Sequence, residues 1–107
     1  MNLTQFQKEV LEWGKKNFPD TKPEMLVLGI AEETGELAHA TLKQLQGIRG
    51  AEDVHVEEAK DAVGDLIVFI THFCGLKGWD LETIISETWG NVKERNWVEN
   101  TENGDDR

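Results

Sequence analysis

Two clusters of acidic residues are the part of this sequence best suited to chemistry. The first is Glu32-Glu33-Thr34-Gly35-Glu36, and the second runs from Glu57 to Asp65. Residues three or four apart share one face of a helix, so Glu33 and Glu36 project together. The same spacing aligns three acids of the second cluster, Glu58, Asp61 and Asp65. Two helices with carboxylate stripes suit a hard divalent cation, which takes oxygen ligands from several directions.

No basic residue relieves the first cluster locally, since neither Lys nor Arg stands four positions after any of its glutamates. Like charges at this spacing destabilise a helix unless a cation neutralises them. In the second cluster Lys60 offers partial relief, and Asp65 is followed by five apolar residues. We therefore expect the two clusters to bind metal rather than to form an ordinary solvated helix face.

Helical periodicity places both clusters on long helices. Apolar residues recur every three or four positions in four segments, and no convincing strand, repeat or inter-domain linker is found. The residues between the second and third segments, Gly47 to His55, are predicted to form a loop. The four predicted helices run from Asn2 or Thr4 to Gly14, from a Thr21 cap to Gly47, from Val56 to about Leu76, and from an Asp80 cap to about Arg95.

These elements predict one all-α domain, a four-helix bundle-like unit over residues 1–98, followed by a polar tail over residues 99–107 that we expect to be disordered. The third helix is apolar almost all round after Asp65, which predicts a central position. Three neighbouring helices cannot cover so much apolar surface, so we expect a homo-oligomer, either a dimer or a tetramer. Asp61 and Asp65 would then lie in largely apolar surroundings, where carboxylates need a partner or a metal.

The composition disfavours several classes of function. The net charge of −10 opposes binding to a nucleic acid polymer or to an anionic membrane surface. Gln5, Lys8 and Glu9 interrupt any apolar leader, and the single cysteine, Cys74, has no partner for an internal disulfide. We therefore expect a cytoplasmic protein in which Cys74 is a buried small hydrophobic residue.

The acidic pattern resembles that of the MazG-like all-α nucleoside triphosphate pyrophosphohydrolases, over about residues 20 to 97. The first half of their motif, E-E-x-x-E, matches Glu32 to Glu36. The second half, E-x-x-D, matches Glu58 to Asp61 literally. A second frame instead matches Gly64-Asp65 to the Gly-Asp-apolar continuation of the family and puts Ala62 where a glutamate is expected. In this frame, which we favour, Asp61 substitutes as a ligand.

The resemblance implies a magnesium-dependent enzyme, with manganese as an alternative metal, that hydrolyses a (deoxy)nucleoside triphosphate to a monophosphate and pyrophosphate. It also suggests a role in house-cleaning of the nucleotide pool. Glu32 or Glu33 would activate the water that attacks the α-phosphorus. The implied metal ligands are Glu33, Glu36, Asp61 and Asp65, with Glu58 as the competing choice. The implied phosphate and substrate contacts near the end of the fourth helix are Asn91, Lys93, Arg95, Asn96 and Trp97.

The four tryptophans divide into two groups. Trp13 and Trp89 stand at apolar positions of their helices and are predicted to lie in the core. Trp79 precedes the fourth helix and Trp97 follows the basic segment, so these two are the candidates for stacking on a base. No motif in the sequence specifies the base or the sugar of the substrate.

Two other interpretations use some of the same residues. Glu36 and His39 form an E-x-x-H motif as in carboxylate-bridged di-iron bundles. That design needs a second motif on a helix, and the one available, Glu52 to His55, falls in the predicted loop. We expect His39 and His72 to be packed or hydrogen-bonded neutral imidazoles. The main alternative to an enzyme is a non-catalytic acidic helical module that dimerises through the third helix and binds a partner protein.

Overall fold

The computed structural model describes residues 1–102, which form four helices and contain no strand. The helices are α1 (Leu3–Asn17), α2 (Pro23–Gln46), α3 (Glu52–Lys77) and α4 (Leu81–Val92). The predicted all-α class is therefore confirmed. Over these described residues, every helix is too short or too polar to cross a membrane.

α3 is the central helix, because it packs against α1, α2 and α4. Among the four helices α2 packs on α3 alone, and α4 contacts only α1 and α3. The helices therefore do not close into a compact four-helix bundle. The radius of gyration is 17.3 Å, whereas a compact domain of this length has about 13 Å.

The helix ends agree in part with the predicted caps. The Asn2 side chain accepts from the Gln5 amide at 2.8 Å, and the Asp80 carboxylate accepts from the Thr83 amide at 3.1 Å. The predicted Thr21 cap is wrong, since the N-cap of α2 is Lys22 and makes no side-chain capping bond. Pro23 follows at the first helical position, which its fixed φ suits.

The loop between α2 and α3 is shorter than predicted. α2 ends at Gln46, next to the predicted end at Gly47, and this C-cap glycine has a left-handed φ of 67°. α3 already begins at Glu52 rather than at Val56. Glu52 and Asp53 stand in its first turn, where negative charge interacts favourably with the helix dipole.

The core is small and made mostly of short side chains. The buried apolar residues are Val10, Leu26, Ala40, Ala62, Cys74 and Leu81. Cys74 is thus buried as expected, and its burial raises the pKa of the thiol. The core positions predicted for Trp13 and Trp89 are wrong, since these side chains are 49% and 59% exposed. Trp89 is exposed because α4 packs on only two helices and leaves much of its apolar face uncovered.

The end of the described chain forms turns after α4. The Asn96 side chain accepts from the amides of Val98 and Glu99 at 3.1 and 3.0 Å, and its carbonyl accepts from Asn100 at 2.7 Å. Residues 99–102 of the predicted tail therefore continue this turn. Residues 103–107 of that tail lie outside the described part of the chain.

Gln7 joins α1 to the segment between α3 and α4. Its amide donates to the Trp79 carbonyl at 2.7 Å and accepts from the Leu81 amide at 2.9 Å. We expect Gln7→Ala to lower the free energy of unfolding by about 1–3 kcal/mol, because both backbone groups lose their partner. Chemical denaturation measures this effect, and Gln5→Ala, at an exposed position of the same helix, is the control. Equal stability of the two variants would contradict the assigned role of Gln7.

Candidate metal centre

The two acidic clusters face one another across a cavity of about 480 Å³ between α2 and α3. α2 supplies one wall through positions that recur every three or four residues, and α3 supplies the other in the same way. The lining residues are Glu32, Gly35, Glu36, His39, Glu58, Asp61 and Asp65. The structure therefore brings together both frames of the second acidic motif, since Glu58, Asp61 and Asp65 reach the same space.

The α2 carboxylates form the tightest part of this centre. Glu32, Glu33 and Glu36 each offer an oxygen, and the three oxygens lie within 4.8 Å of one another. Glu33 is only 8% exposed, and its Oε2 is buried without a hydrogen-bond partner. A buried carboxylate oxygen without a donor is costly. A cation among these three residues would supply the missing partner, and an all-oxygen donor set fits a hard ion such as magnesium.

The α3 carboxylates Asp61 and Asp65 are more exposed to solvent than the sequence suggested. Asp61 and Asp65 are exposed, so the expectation of largely apolar surroundings is wrong for both. They project into the open cavity, whereas Ala62 between them is the buried residue, at 2% exposure. Magnesium keeps several waters and binds through one or two carboxylates plus phosphate oxygens. Exposed carboxylates across the cavity therefore suit a hydrated ion that also holds a ligand.

The surroundings of Glu33 shift the pKa of its carboxyl group. Burial is the largest cause that raises the pKa of Glu33 above its ordinary value of 4.5. The negative charges of Glu36, Asp65 and Glu32 raise this pKa further. Each cause disfavours the ionised form of Glu33, and a cation would reverse the effect of the neighbouring charges.

This raised pKa predicts how stability depends on pH. The folded protein holds the Glu33 proton more tightly than the unfolded chain, so stability falls as pH rises from 4.5 through the folded pKa. We expect Glu33→Gln to raise the melting temperature of the metal-free protein by a few degrees at neutral pH. Below pH 4.5 the difference from the unmodified protein should disappear, because Glu33 is then protonated in both states.

Thermal melts in a chelating buffer at several pH values measure this dependence. Glu57→Gln is the control, because Glu57 is 68% exposed, pairs with Lys60 at 3.3 Å and does not line the cavity. A lower melting temperature for Glu33→Gln at neutral pH would show that ionised Glu33 is satisfied without a cation.

A second cavity of about 480 Å³ adjoins the acidic one, and Asp65 lines both. Its other lining residues come from α1, the segment after it, α2 and α3, and most are apolar. They are Trp13, Phe18, Thr21, Met25, Leu26, Val68, Phe69 and His72. The sequence did not reveal this aromatic cavity, because its wall is assembled from residues far apart in the chain.

Two glycines shape the aromatic cavity. A Cβ at Gly29 would lie 2.8 Å from Phe69, and one at Gly14 would collide with the His72 ring. The Phe69 ring therefore packs directly against the helix backbone at Gly29, and the His72 ring packs against it at Gly14. His72 is packed as expected, and burial lowers the pKa of its imidazole. The aromatic cavity is thus lined by the neutral His72 imidazole and by apolar side chains. Asp65 lies between this cavity and the acidic one.

The residues predicted to contact phosphate do not line either cavity. Lys93 is the C-cap of α4, Asn96 forms the turn described above, and Trp97 is 53% exposed. Asn91 and Arg95 are exposed on the same segment. Trp79, the other stacking candidate, packs edge-to-face on Phe73 with ring centres 5.7 Å apart. The phosphate-binding role of the α4 segment stays a prediction.

The histidine motifs also differ from expectation. His39 is exposed and lines the acidic cavity, so its predicted packing is wrong. Residues Glu52 to His55 lie on α3, not in a loop. However, His55 Nε2 lies 2.9 Å from the Ile48 carbonyl oxygen, and neither Glu52 nor His55 lines the acidic cavity. The second half of a di-iron site is therefore not assembled with Glu36 and His39.

Comparison with known proteins gives no match to a family model, to a curated protein or to a solved structure.

Proposed function

We propose that this protein is a magnesium-dependent nucleoside triphosphate pyrophosphohydrolase. The observation that carries the proposal is the pair of carboxylate stripes that face each other across the acidic cavity. Glu33, whose buried Oε2 has no partner, lies beside Glu32 and Glu36 of the α2 stripe. The likeness of the E-E-x-x-E pattern at Glu32 to Glu36 to the MazG-like enzymes adds to it. An anionic cavity repels a free triphosphate, so only a ligand that arrives with cations fits this charge.

The α2 carboxylates would hold the metal, with Asp61 and Asp65 completing its surroundings from α3 and Glu58 as a further ligand. Magnesium, or manganese in its place, supplies neutralisation of triphosphate charge when bound. The chain itself supplies a base. Glu32 or Glu33 would accept a proton from water as the water oxygen bonds to the α-phosphorus. The bond from that phosphorus to the bridging oxygen breaks, and pyrophosphate leaves with the bond's electron pair.

The aromatic cavity suits the other end of a nucleotide. Because Asp65 borders both cavities, a ligand with its phosphates among the carboxylates can extend its base toward Trp13 and Phe18. Base stacking on aromatic side chains contributes about 1–3 kcal/mol per base. This arrangement moves the proposed stacking role from Trp79 and Trp97 to Trp13. Removal of unwanted nucleotides by a homo-oligomeric enzyme is the biological role that fits best.

A panel of canonical and modified nucleoside and deoxynucleoside triphosphates, assayed for pyrophosphate with magnesium, tests the proposal. We expect at least one substrate to yield equal amounts of monophosphate and pyrophosphate, with activity lost in a chelator. No release from any member of the panel would favour the non-catalytic acidic module.

A further inference from the structure

We infer that a second copy of this chain packs antiparallel against the outer face of α2 and that the acidic cavity lies at the edge of this interface. The face is a heptad seam, apolar or small at every position and exposed along its full length. α2 packs on α3 alone, so no other helix of residues 1–102 covers this face. The seam consists of Leu28, Ala31, Gly35, Ala38, Leu42 and Leu45.

The spacing and exposure of the seam are unusual for a solvated helix face. Its members follow one another at alternating intervals of three and four, which is the pattern of helices that pair along a seam. Leu28, Leu42 and Leu45 are 71%, 48% and 81% exposed. At the centre, a Cβ added to Gly35 would meet no atom of another element within 4 Å. A contiguous apolar stripe of this kind marks an interaction surface.

The surface area indicates how much a partner must cover. The accessible surface is 7869 Å², whereas a compact monomer of 12.1 kDa exposes about 6,000 Å². The excess exceeds the roughly 800 Å² that each partner contributes to an interface of standard size. The exposed surface is therefore large enough to supply an interface of standard size with a second copy.

The seam is complementary to itself when one copy runs antiparallel to the other. A two-fold axis between Glu36 and Leu37 places Leu28 opposite Leu45, and it places Ala31 opposite Leu42. Gly35 then faces Ala38, so the helices can approach closely at the centre. Each of these contacts occurs twice, related by the axis, which is the reciprocity of an isologous two-fold interface.

The flank of the seam links this interface to the acidic cavity. In an antiparallel pair the same flank of both helices meets, which brings Glu32 next to His39 of the partner subunit. An imidazole N–H can donate to a carboxylate, so the two charged flanks are compatible. Glu32, Gly35 and His39 all line the acidic cavity. A role for the partner's His39 beside a bound phosphate rests on the proposed function, whereas the pairing of α2 does not.

Sedimentation equilibrium with a matched pair of variants tests the interface. Leu42→Glu places a charge in the seam, and Val63→Glu places one at a residue of α3 with nearly the same exposure, 49% against 48%. We expect Leu42→Glu to halve the mass of the wild-type assembly while circular dichroism stays helical. Val63→Glu should leave the mass unchanged. A wild-type mass of one chain, or a Leu42→Glu mass equal to that of wild type, overturns the inference.

Cysteine cross-linking tests the orientation independently of any change in stability. Leu28→Cys and Leu45→Cys variants should form disulfide-linked dimers when mixed, but neither should do so alone. In the antiparallel pair, two copies of residue 28 are about 25 Å apart along the helix axis. The native Cys74 is buried. Efficient cross-linking of each variant alone would show a parallel pair and overturn the inference. Neither experiment uses a nucleotide, so failure of the hydrolase proposal is read separately.

Discussion

Glu36→Gln is expected to lower pyrophosphate release by a factor of about 100 or more, since even residues that only support metal ligands contribute 10–100-fold. Glu36 belongs to the close group of three carboxylates and also faces the α3 acids across the cavity. Gln keeps the size of the side chain but removes the charge that a magnesium ion needs. Steady-state assays over a range of magnesium concentrations measure the effect.

Two comparisons separate this loss from damage to the fold. Glu57→Gln removes one charge from α3 outside the cavity and should keep full activity. The metal-free melting temperature of Glu36→Gln should stay the same or rise, because the charge of Glu36 raises the pKa of Glu33 and disfavours its ionised form. Wild-type activity in Glu36→Gln would remove the carboxylate stripes from the mechanism.

Trp13→Ala is expected to raise KM for the best substrate by about 5–150-fold, because base stacking on an aromatic ring contributes about 1–3 kcal/mol. Trp13 lies edge-to-face with Phe18 at 5.5 Å between ring centres, and both rings line the aromatic cavity. The value of kcat should change much less, since the carboxylates are untouched. Kinetic constants for one substrate, measured at saturating magnesium, give both quantities.

Trp89→Ala is the matched control for this effect. Trp89 is 59% exposed on α4, compared with 49% for Trp13, and it is not among the residues of the aromatic cavity. Its removal should leave KM unchanged. Equal KM values for Trp13→Ala and the unmodified protein would place the base outside this cavity.

Periodicity was sufficient to predict the four helices and to place each acidic cluster on one face of its helix. The i, i+3 and i+4 spacing puts Glu33 beside Glu36 whatever else surrounds α2, so that half of the site follows from local geometry. The cap at Asp80 could be predicted for the same reason, since its hydrogen bond reaches only to Thr83. Local spacing cannot choose between the pair Glu58 and Asp61 and the pair Asp61 and Asp65, because all three carboxylates line the same cavity.

The errors arose where burial depends on which helices pack together. Trp13 and Trp89 have core-like spacing, but an apolar position is buried only if another element covers it. Asp61 and Asp65 lie on the open side of α3, whereas Ala62 lies on the packed side, and the sequence alone does not fix that rotation. The aromatic cavity was missed because its wall joins α1 to α3 across more than fifty residues, from Trp13 to Phe69.

Hydrolysis in ¹⁸O-labelled water, with magnesium and the best nucleoside triphosphate of the panel, tests the central claim most directly. Water attack at the α-phosphorus places the label in the monophosphate and leaves pyrophosphate unlabelled. Mass spectrometry of the two products reads this out, and Glu36→Gln should form neither above background. Label in pyrophosphate, or no magnesium-dependent product from any triphosphate, would contradict the account.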